Sequence, residues 1–201
     1  MGLAEQQKAL ARLYTDTDLR EQFLIEPVNV GKEIGLNEDE AKKLSEVSKD
    51  ELTFFSESLV WKRLNEVTKL LPLVRKAVGK DFEKMFFEFS ATYNPTGVKK
   101  HLEDTIAFCS YLEKRVEGDW IFDLIRFEKA FLEFNGLNRK CLVRCFSFDL
   151  RKAIENLSND ENVDSIEKKC WCGIWLRLGK KGKAKFYRIF IPSVLFLRHL
   201  R

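Results

Sequence analysis

The sequence has no segment with the length and apolarity of a secretion signal or a membrane span. Residues 1–14 contain no basic stretch followed by an apolar one, which a secretion signal requires. The longest apolar run, residues 189–197, is interrupted by Pro192 and Ser193 and is shorter than a membrane-crossing helix. We therefore expect a protein that is neither exported by that route nor inserted in a membrane.

Histidine is scarce, and neither histidine lies in a motif for catalysis or metal binding. His101 precedes Glu103 and Asp104 near the start of a predicted helix, which is typical of a surface or interhelical residue. A catalytic pair of a cysteine with His101 or His199 would have to be assembled by the fold, because no sequence motif indicates one. The sequence therefore predicts no catalytic residues and a protein that is not an enzyme.

Five cysteines occur in a chain without a recognisable secretion signal, which favours free thiols in a reducing, cytoplasmic setting. Two pairs, Cys141 with Cys145 and Cys170 with Cys172, each lie on one side of a predicted strand. Adjacent strands could bring these four sulfurs together around a tetrahedral metal ion. Cysteines at such spacings within strands are more typical of buried thiols, so we expect neither a metal nor another cofactor.

Charge is distributed very unevenly along the chain. Residues 1–135 carry 20 basic and 25 acidic side chains, a net charge of −5. Residues 136–201 carry 15 basic and 6 acidic side chains, a net charge of +9. The reversal predicts a helical domain over residues 1–135 and a small basic α+β subdomain over residues 136–201.

The first part of the chain has the apolar periodicity of a helical array. Between Leu3 and Phe134 apolar residues recur at three-and-four spacing, which predicts about seven helices. Asp16 and Asn37 are placed to cap two of them, and Pro72 starts or kinks another.

After Gly136 the apolar period changes to two, which predicts strands over residues 140–148, 170–178 and 185–191. Asp149 is placed to cap a short helix after the first strand, and residues 179–183 form a hairpin turn between the other two. The predicted fold class is mainly α, of the α+β type: a helical array followed by a small antiparallel sheet with a short helix.

The basic sheet is the strongest candidate site in the sequence. Its strands interleave aromatic and basic residues, and Lys180 and Lys181 add charge at the turn. This combination suits an acidic peptide or stacked nucleic-acid bases, although one face could instead pack on the helices while the lysines solubilise the turn. The predicted partner-binding residues are Arg144, Trp171, Trp175, Arg177, Lys183, Lys185 and Arg188.

A second set of polar residues falls on the predicted helices. Lys62 and Glu66 are four residues apart, and Arg63 and Glu66 three apart, which is typical of ion pairs along one helix. Structural use is favoured over partner contact for this group. The predicted interhelical or partner contacts are Arg20, Lys62, Arg63, Glu66, His101, Asp104 and Arg126.

Several stretches together resemble one known family. In the first half these are Tyr14-Thr15-Asp16 with Leu19, Arg20, Phe23 and Pro27, then Ser58-Leu59, Lys62-Arg63, Glu66-Val67 and Lys69-Leu70-Leu71-Pro72-Leu73. In the second half they are His101-Leu102-Glu103-Asp104 with Phe108, Trp120, Asp123, Arg126, Phe127 and Glu128, then Phe146-Ser147-Phe148-Asp149-Leu150-Arg151 and Trp175-Leu176-Arg177-Leu178. The pattern resembles the helical domain attached to some multinuclear non-haem iron oxidative enzymes that modify ribosomally made peptides, and the separate partner proteins of such enzymes, including the methanobactin type.

The resemblance implies a non-catalytic accessory protein that holds a precursor peptide for an iron enzyme encoded elsewhere. In related recognition modules the peptide adds as a strand to a small sheet beside helices. The five cysteines and the basic hairpin depart from the family pattern. The alternative that the sequence leaves open is a nucleic-acid-binding protein that uses the same sheet.

Overall fold

A computed structural model describes residues 3–116, 120–163, 165–179 and 183–191 of the chain. The helices that it contains are α1 (Leu3–Thr15), α2 (Thr17–Ile25), α3 (Pro27–Glu33), α4 (Glu38–Ser45), α5 (Lys49–Leu70), α6 (Pro72–Val78), α7 (Asp81–Thr92), α8 (Lys100–Glu113), α9 (Trp120–Gly136) and α10 (Leu150–Ser158). The strands are β1 (Cys141–Phe148), β2 (Lys168–Arg177) and β3 (Ala184–Phe190).

Local start and stop signals account for the helix boundaries. Asp16 accepts a hydrogen bond from the Leu19 N–H and caps α2, and Asn37 forms a reciprocal capping box with Glu40. Pro27 and Pro72 each begin a helix of their own. The described part of the chain before β1 therefore holds nine helices where about seven were predicted, because proline at a first helical position starts a helix at little cost.

The chain divides into two units, of which the first comprises Met1–Asn65 and Ser90–Asn94. Residues of α1 to α4 and of the turn after α3 form its apolar core. Helices α3 and α4 approach closely at Gly31, where a Cβ atom would lie 2.6 Å from the Ala41 Cβ. The core residues are Ala9, Leu13, Phe23, Val30, Ile34, Leu36 and Ala41.

The second unit comprises Glu66–Phe89 and Pro95–Arg201. An aromatic cluster packs α7 against α8, with ring centroids of neighbouring members 5.1 to 6.1 Å apart. Edge-to-face contacts within this cluster stabilise the fold beyond the contribution of apolar burial. The members of the cluster are Phe82, Phe86, Phe89, Phe108 and Tyr111.

Glu128 of α9 is a buried carboxylate that holds the start of α6. It accepts hydrogen bonds from the backbone N–H groups of Leu73, at 3.3 Å, and Val74, at 2.9 Å. Burial raises the pKa of Glu128 to about 7, and the two backbone donors only partly oppose that rise.

The raised pKa of Glu128 predicts a pH-dependent stability. The folded chain binds this proton more tightly than the unfolded chain, so the free energy of unfolding should fall as pH rises from 4.5 to about 7. We expect the free energy of unfolding to fall by about 3 kcal/mol in total, with no further fall above that window. In Glu128→Gln, which cannot titrate, chemical denaturation should show a flatter profile across the same window. Parallel profiles for the two proteins would contradict this assignment.

The three strands form one antiparallel sheet in the order β1-β2-β3. This confirms the predicted mainly helical α+β fold with a small C-terminal sheet. One face, here called the inner face, packs on Phe127 of α9, whose ring centroid lies 5.9 to 6.2 Å from those of four aromatic residues. These four are Phe146, Trp171, Trp175 and Phe186.

A bulge near the end of β1 anchors the sheet to α9. The register of β1 on β2 shifts between Phe146 and Phe148, and at this point the backbone N–H groups of two successive residues, Ser147 and Phe148, are directed to α9. Both donate to the carboxylate of Asp123, which is 3% exposed. Desolvation raises the pKa of Asp123 despite these donors.

Residues 136–191 lie in the same unit as α8 and α9. The domain boundary at residue 135, inferred from surface charge, stays a prediction. None of the helices in the described ranges combines the length and apolarity that crossing a membrane requires.

Candidate functional site

The edge of β3 is the open side of the sheet. Because β2 is central, β3 pairs on one side only. The Ile191 N–H donates to the Cys170 carbonyl at 3.0 Å, which directs the Ile191 backbone toward β2. Backbone groups alternate in direction along a strand, so those of Phe186, Arg188 and Phe190 point away from the sheet. No hydrogen bond within the described ranges engages these outward groups.

The edge of β1, by contrast, is occupied in two places. The Arg144 guanidinium donates to the Val143 carbonyl at 3.0 Å, and the Ser147 N–H is taken by Asp123. An incoming strand would have to displace these bonds. The β3 edge is therefore the better position for a partner strand.

Cations lie along the open edge. Lys183 and Lys185 are exposed, and the Lys169 Nζ lies 4.5 Å from the centroid of the Phe190 ring. The guanidinium of Arg151 lies 5.8 Å from the same ring. The edge thus offers backbone hydrogen bonds, an exposed aromatic ring and positive charge within one region.

The two tryptophans predicted as partner contacts are core residues. Trp171 is 2% exposed and Trp175 is 3% exposed, both on the inner face. The Trp171 Nε1 donates to the Phe148 carbonyl at 2.7 Å, and its ring lies 4.4 Å from that of Phe146. Their large apolar area favours burial against α9, so neither ring is accessible for stacking on a partner.

Arg188, also predicted as a partner contact, is used inside the fold. Its Nη2 donates to Asp149 Oδ1 at 2.7 Å, and its guanidinium lies 4.1 Å from the Trp171 ring centroid. The Arg188 side chain is 15% exposed, so the pair is largely desolvated. Hydrogen bonds from Arg151 and Arg188 hold the pKa of Asp149 well below its usual range.

Arg144 and Arg177 also have partners within the chain. Arg144 donates to Glu133 at 3.0 Å from a side chain that is about one third exposed. Arg177 donates to Asn135 and Asn138, at 3.2 and 3.3 Å. Of the seven predicted partner-binding residues, which all lie in the described ranges, Lys183 and Lys185 alone are exposed and the other five are buried or half-buried.

In the first unit, Arg20 and Arg63 tie backbone segments together. Arg20 donates to the Leu13 carbonyl at 3.0 Å and to Ser56 Oγ at 3.1 Å. Arg63 donates to the Tyr93 carbonyl at 2.8 Å and to the Asn94 side chain at 3.0 Å. Both arginines are therefore engaged within the chain, and a partner contact for either stays a prediction.

The other helical candidates are scattered over several helices. Lys62 and His101 are exposed, whereas Asp104 is 1% exposed. Glu66 accepts from Lys69 at 2.6 Å, which lowers the pKa of Glu66. Arg126 donates to Asp123 at 3.4 Å and lies over the rings of Phe122 and Phe146. The structure does not assemble these residues into one site.

Two of the cysteines are joined. Cys145 and Cys172 face each other across β1 and β2 with their Cα atoms 4.1 Å apart, and they form a disulfide. The expectation of five free thiols is therefore wrong at these positions. The physical reason is their register, because a non-hydrogen-bonded antiparallel pair brings two Cα atoms to about 4.5 Å. Cys109, Cys141 and Cys170 are free, and burial raises the pKa of the Cys109 thiol.

The alternative of a four-cysteine metal site does not fit this sheet. Cys141 precedes Cys145 on the same strand by four residues, which separates them by about 13 Å. Thiolates that share one zinc ion lie within about 4 Å of one another. Among the residues that the structure describes, no three His, Cys, Asp or Glu side chains are grouped to hold a metal. That the protein binds no metal stays a prediction.

Several residues named from the sequence lie outside the described ranges: Lys180 and Lys181 of the hairpin turn, Pro192, Ser193 and His199. The outward backbone of β3 and the Asp149–Arg188 pair were not found by sequence reasoning. Asp149 was found only as a helix cap, which it is, since it accepts from the Arg151 N–H. No local pattern could have indicated its second partner 39 residues away.

No protein-family model matches the chain, and a search of curated proteins found no similar sequence.

Proposed function

We propose that this protein is a non-catalytic accessory protein that binds an extended acidic peptide as an added strand along β3. The observation that carries the proposal is the open β3 edge, whose outward backbone groups have no partner within the described ranges. Strand addition satisfies such groups in register, and main-chain hydrogen bonds then supply much of the affinity. The adjacent lysines supply attraction for acidic side chains.

The side chains on the two faces of β3 determine which peptide sequences would bind beside it. On the outer face, an added strand would place alternate side chains beside Lys185, Tyr187 and Ile189. The intervening side chains would lie beside Phe186 and Phe190 on the inner face, both of which are partly exposed. The peptide class that matches is one with an acidic residue near Lys185 and apolar residues further along the strand.

The resemblance described above extends the proposal to a pathway role. The bound segment would be part of a ribosomally made precursor peptide, and the protein would present it to an iron-dependent oxidative enzyme in the cytoplasm. Support for this extension comes from the matching residues in the sequence. The open edge supports peptide binding alone.

The test uses a fluorescein-labelled synthetic peptide with glutamates at one end and valines at the other, and binding is followed by fluorescence anisotropy. Ala184→Pro removes an outward N–H at the first residue of β3 and leaves the bonds to β2 in place. We expect about a tenfold or larger loss of affinity, from one lost hydrogen bond and the bulk of the ring. Ala184→Val is the matched control, because it keeps the N–H. Equal affinity of the proline variant and the control would contradict strand addition.

Nucleic-acid binding is an outcome that the same variants can reveal. The affinity for a labelled single-stranded oligonucleotide would be lowered by Lys183→Glu/Lys185→Glu and by added salt, because both reduce the attraction between lysines and phosphates. Ala184→Pro should change oligonucleotide binding little, since it leaves the lysine charges that contact phosphates unchanged. Tight binding with that pattern, and no binding of the peptide, would replace the proposal by the nucleic-acid alternative.

A further inference from the structure

The face of the sheet directed away from α9, here called the outer face, carries four of the five cysteines. Side chains alternate between the two faces of a strand, so Cys141 and Cys145 of β1 share the outer face with Cys170 and Cys172 of β2. The register sets Cys145 directly opposite Cys172 and closes the disulfide there. Cys170 stays a free thiol two residues from Cys172.

The disulfide is accessible and lies among exposed apolar residues. Cys145 is exposed and Cys172 half-buried, whereas Trp171 beside it is buried on the inner face. On the same outer face, Val143 is 47% and Ile189 is 52% exposed. The Cys145 side of the disulfide can therefore be reached by an attacking thiolate.

We propose that the Cys145–Cys172 disulfide is a thiol–disulfide exchange site whose reactants are thiols. This site is separate from the peptide-binding edge, because the disulfide joins β1 and β2 whereas the peptide would pair with the backbone of β3. Lys185, which is exposed on the same outer face of the neighbouring strand β3, favours the approach of anionic thiols.

The exchange balances in two steps. An incoming thiolate attacks the Sγ atom of Cys145, the more exposed residue of the pair, and the Cys145–Cys172 bond breaks. Cys172 leaves as a thiolate and takes up a proton from water. A second thiolate then attacks the incoming sulfur of the mixed disulfide, which releases Cys145 as a thiolate and forms the disulfide of the reactant. Two reactant thiols are oxidised and one protein disulfide is reduced.

The backbone ladder allows the sheet to survive this chemistry. β1 and β2 stay paired on both sides of the disulfide, from Cys141 opposite Leu176 to Phe146 opposite Trp171. The inner-face aromatic contacts with Phe127 do not involve the two cysteines. The reduced and oxidised chains should therefore share one fold.

In the first experiment the native protein is treated with reduced glutathione or with reduced thioredoxin. Its free thiols are then alkylated, and the alkylated cysteines are identified by peptide mass spectrometry. Cys145 and Cys172 should each gain one alkyl group while the far-ultraviolet circular dichroism stays unchanged. Reduction by glutathione would identify low-molecular-weight thiols as sufficient reactants, and reduction by thioredoxin alone would identify protein thiols. Retention of the disulfide in both reagents, or loss of the fold on reduction, would overturn the proposal.

The second experiment locates the point of attack with oxidised glutathione. In Cys172→Ser, we expect the freed Cys145 to form the mixed disulfide at least about tenfold faster than Cys172 does in Cys145→Ser, because Cys145 is the more exposed residue. Cys141→Ser is the matched control, since Cys141 is exposed on the same face and unbonded. Buried Cys109 should remain unmodified in every variant. Equal rates at Cys145 and Cys172 would overturn the assigned direction of attack.

Discussion

Trp171→Ala is expected to lower the free energy of unfolding by about 3–5 kcal/mol, as large-to-small changes at buried aromatic positions do. Its ring is 2% exposed and stacks on Phe146, and its Nε1 donates to the Phe148 carbonyl at 2.7 Å. The truncation would leave a cavity between the sheet and α9 and a buried carbonyl without its donor. Urea denaturation followed by circular dichroism measures the loss.

Tyr187→Ala supplies the matched control for Trp171→Ala. Tyr187 lies on the neighbouring strand, on the outer face, and is 47% exposed. Its truncation should change stability by about 1 kcal/mol or less. If Trp171→Ala were as stable as this control but lost affinity for the acidic peptide, Trp171 would be a partner contact and its place in the core would be wrong.

Asp149→Ala is expected to cost about 3–5 kcal/mol of stability, because it leaves the largely buried Arg188 without its ion partner. Arg188 has little capacity to adjust, since its Nε is already buried without a hydrogen-bond partner among the described residues. The same change removes the acceptor that caps α10 at the Arg151 N–H. The loss should appear as a lower denaturation midpoint with an unchanged slope.

Arg151→Ala is the matched control for the Asp149 prediction. Arg151 pairs with the same carboxylate at 2.9 Å but its side chain is 68% exposed, so its removal should cost under about 1 kcal/mol. The depressed pKa of Asp149 adds a pH signature. Its stabilisation should be complete above the ordinary pKa and be lost as pH falls toward the folded value, so the gap between wild type and Asp149→Ala should narrow in acid. A gap independent of pH would contradict an ionised Asp149 in the folded chain.

Sequence reasoning left the use of the sheet open between a partner-binding surface and a face packed on the helices. Interleaved aromatic and basic residues predicted a partner-binding surface, but Trp171 and Trp175 lie in the core and Arg188 pairs with Asp149. The alternation correctly separated the two faces of each strand. It contained no information on which face would meet α9, because that depends on residues such as Phe127 that are distant in sequence.

The sequence by itself determined the features that depend on neighbours within one helical turn or along one strand. These include the cap at Asp16, the helix start at Pro72, the change of apolar period after Gly136 and the change of net charge from −5 to +9. Such signals act over a few residues, where sequence spacing fixes spatial proximity.

Only the tertiary structure decided which distant groups meet. The disulfide joins cysteines 27 residues apart, and Glu128 reaches the N–H groups of α6 across more than 50 residues. The tertiary structure also places β3 at an edge of the sheet, with its outward backbone groups available to a partner. The physical reason is that all the packing contacts of the unit together select the strand register and the face that is buried. Each local segment by itself could adopt several registers or bury either face at similar energy.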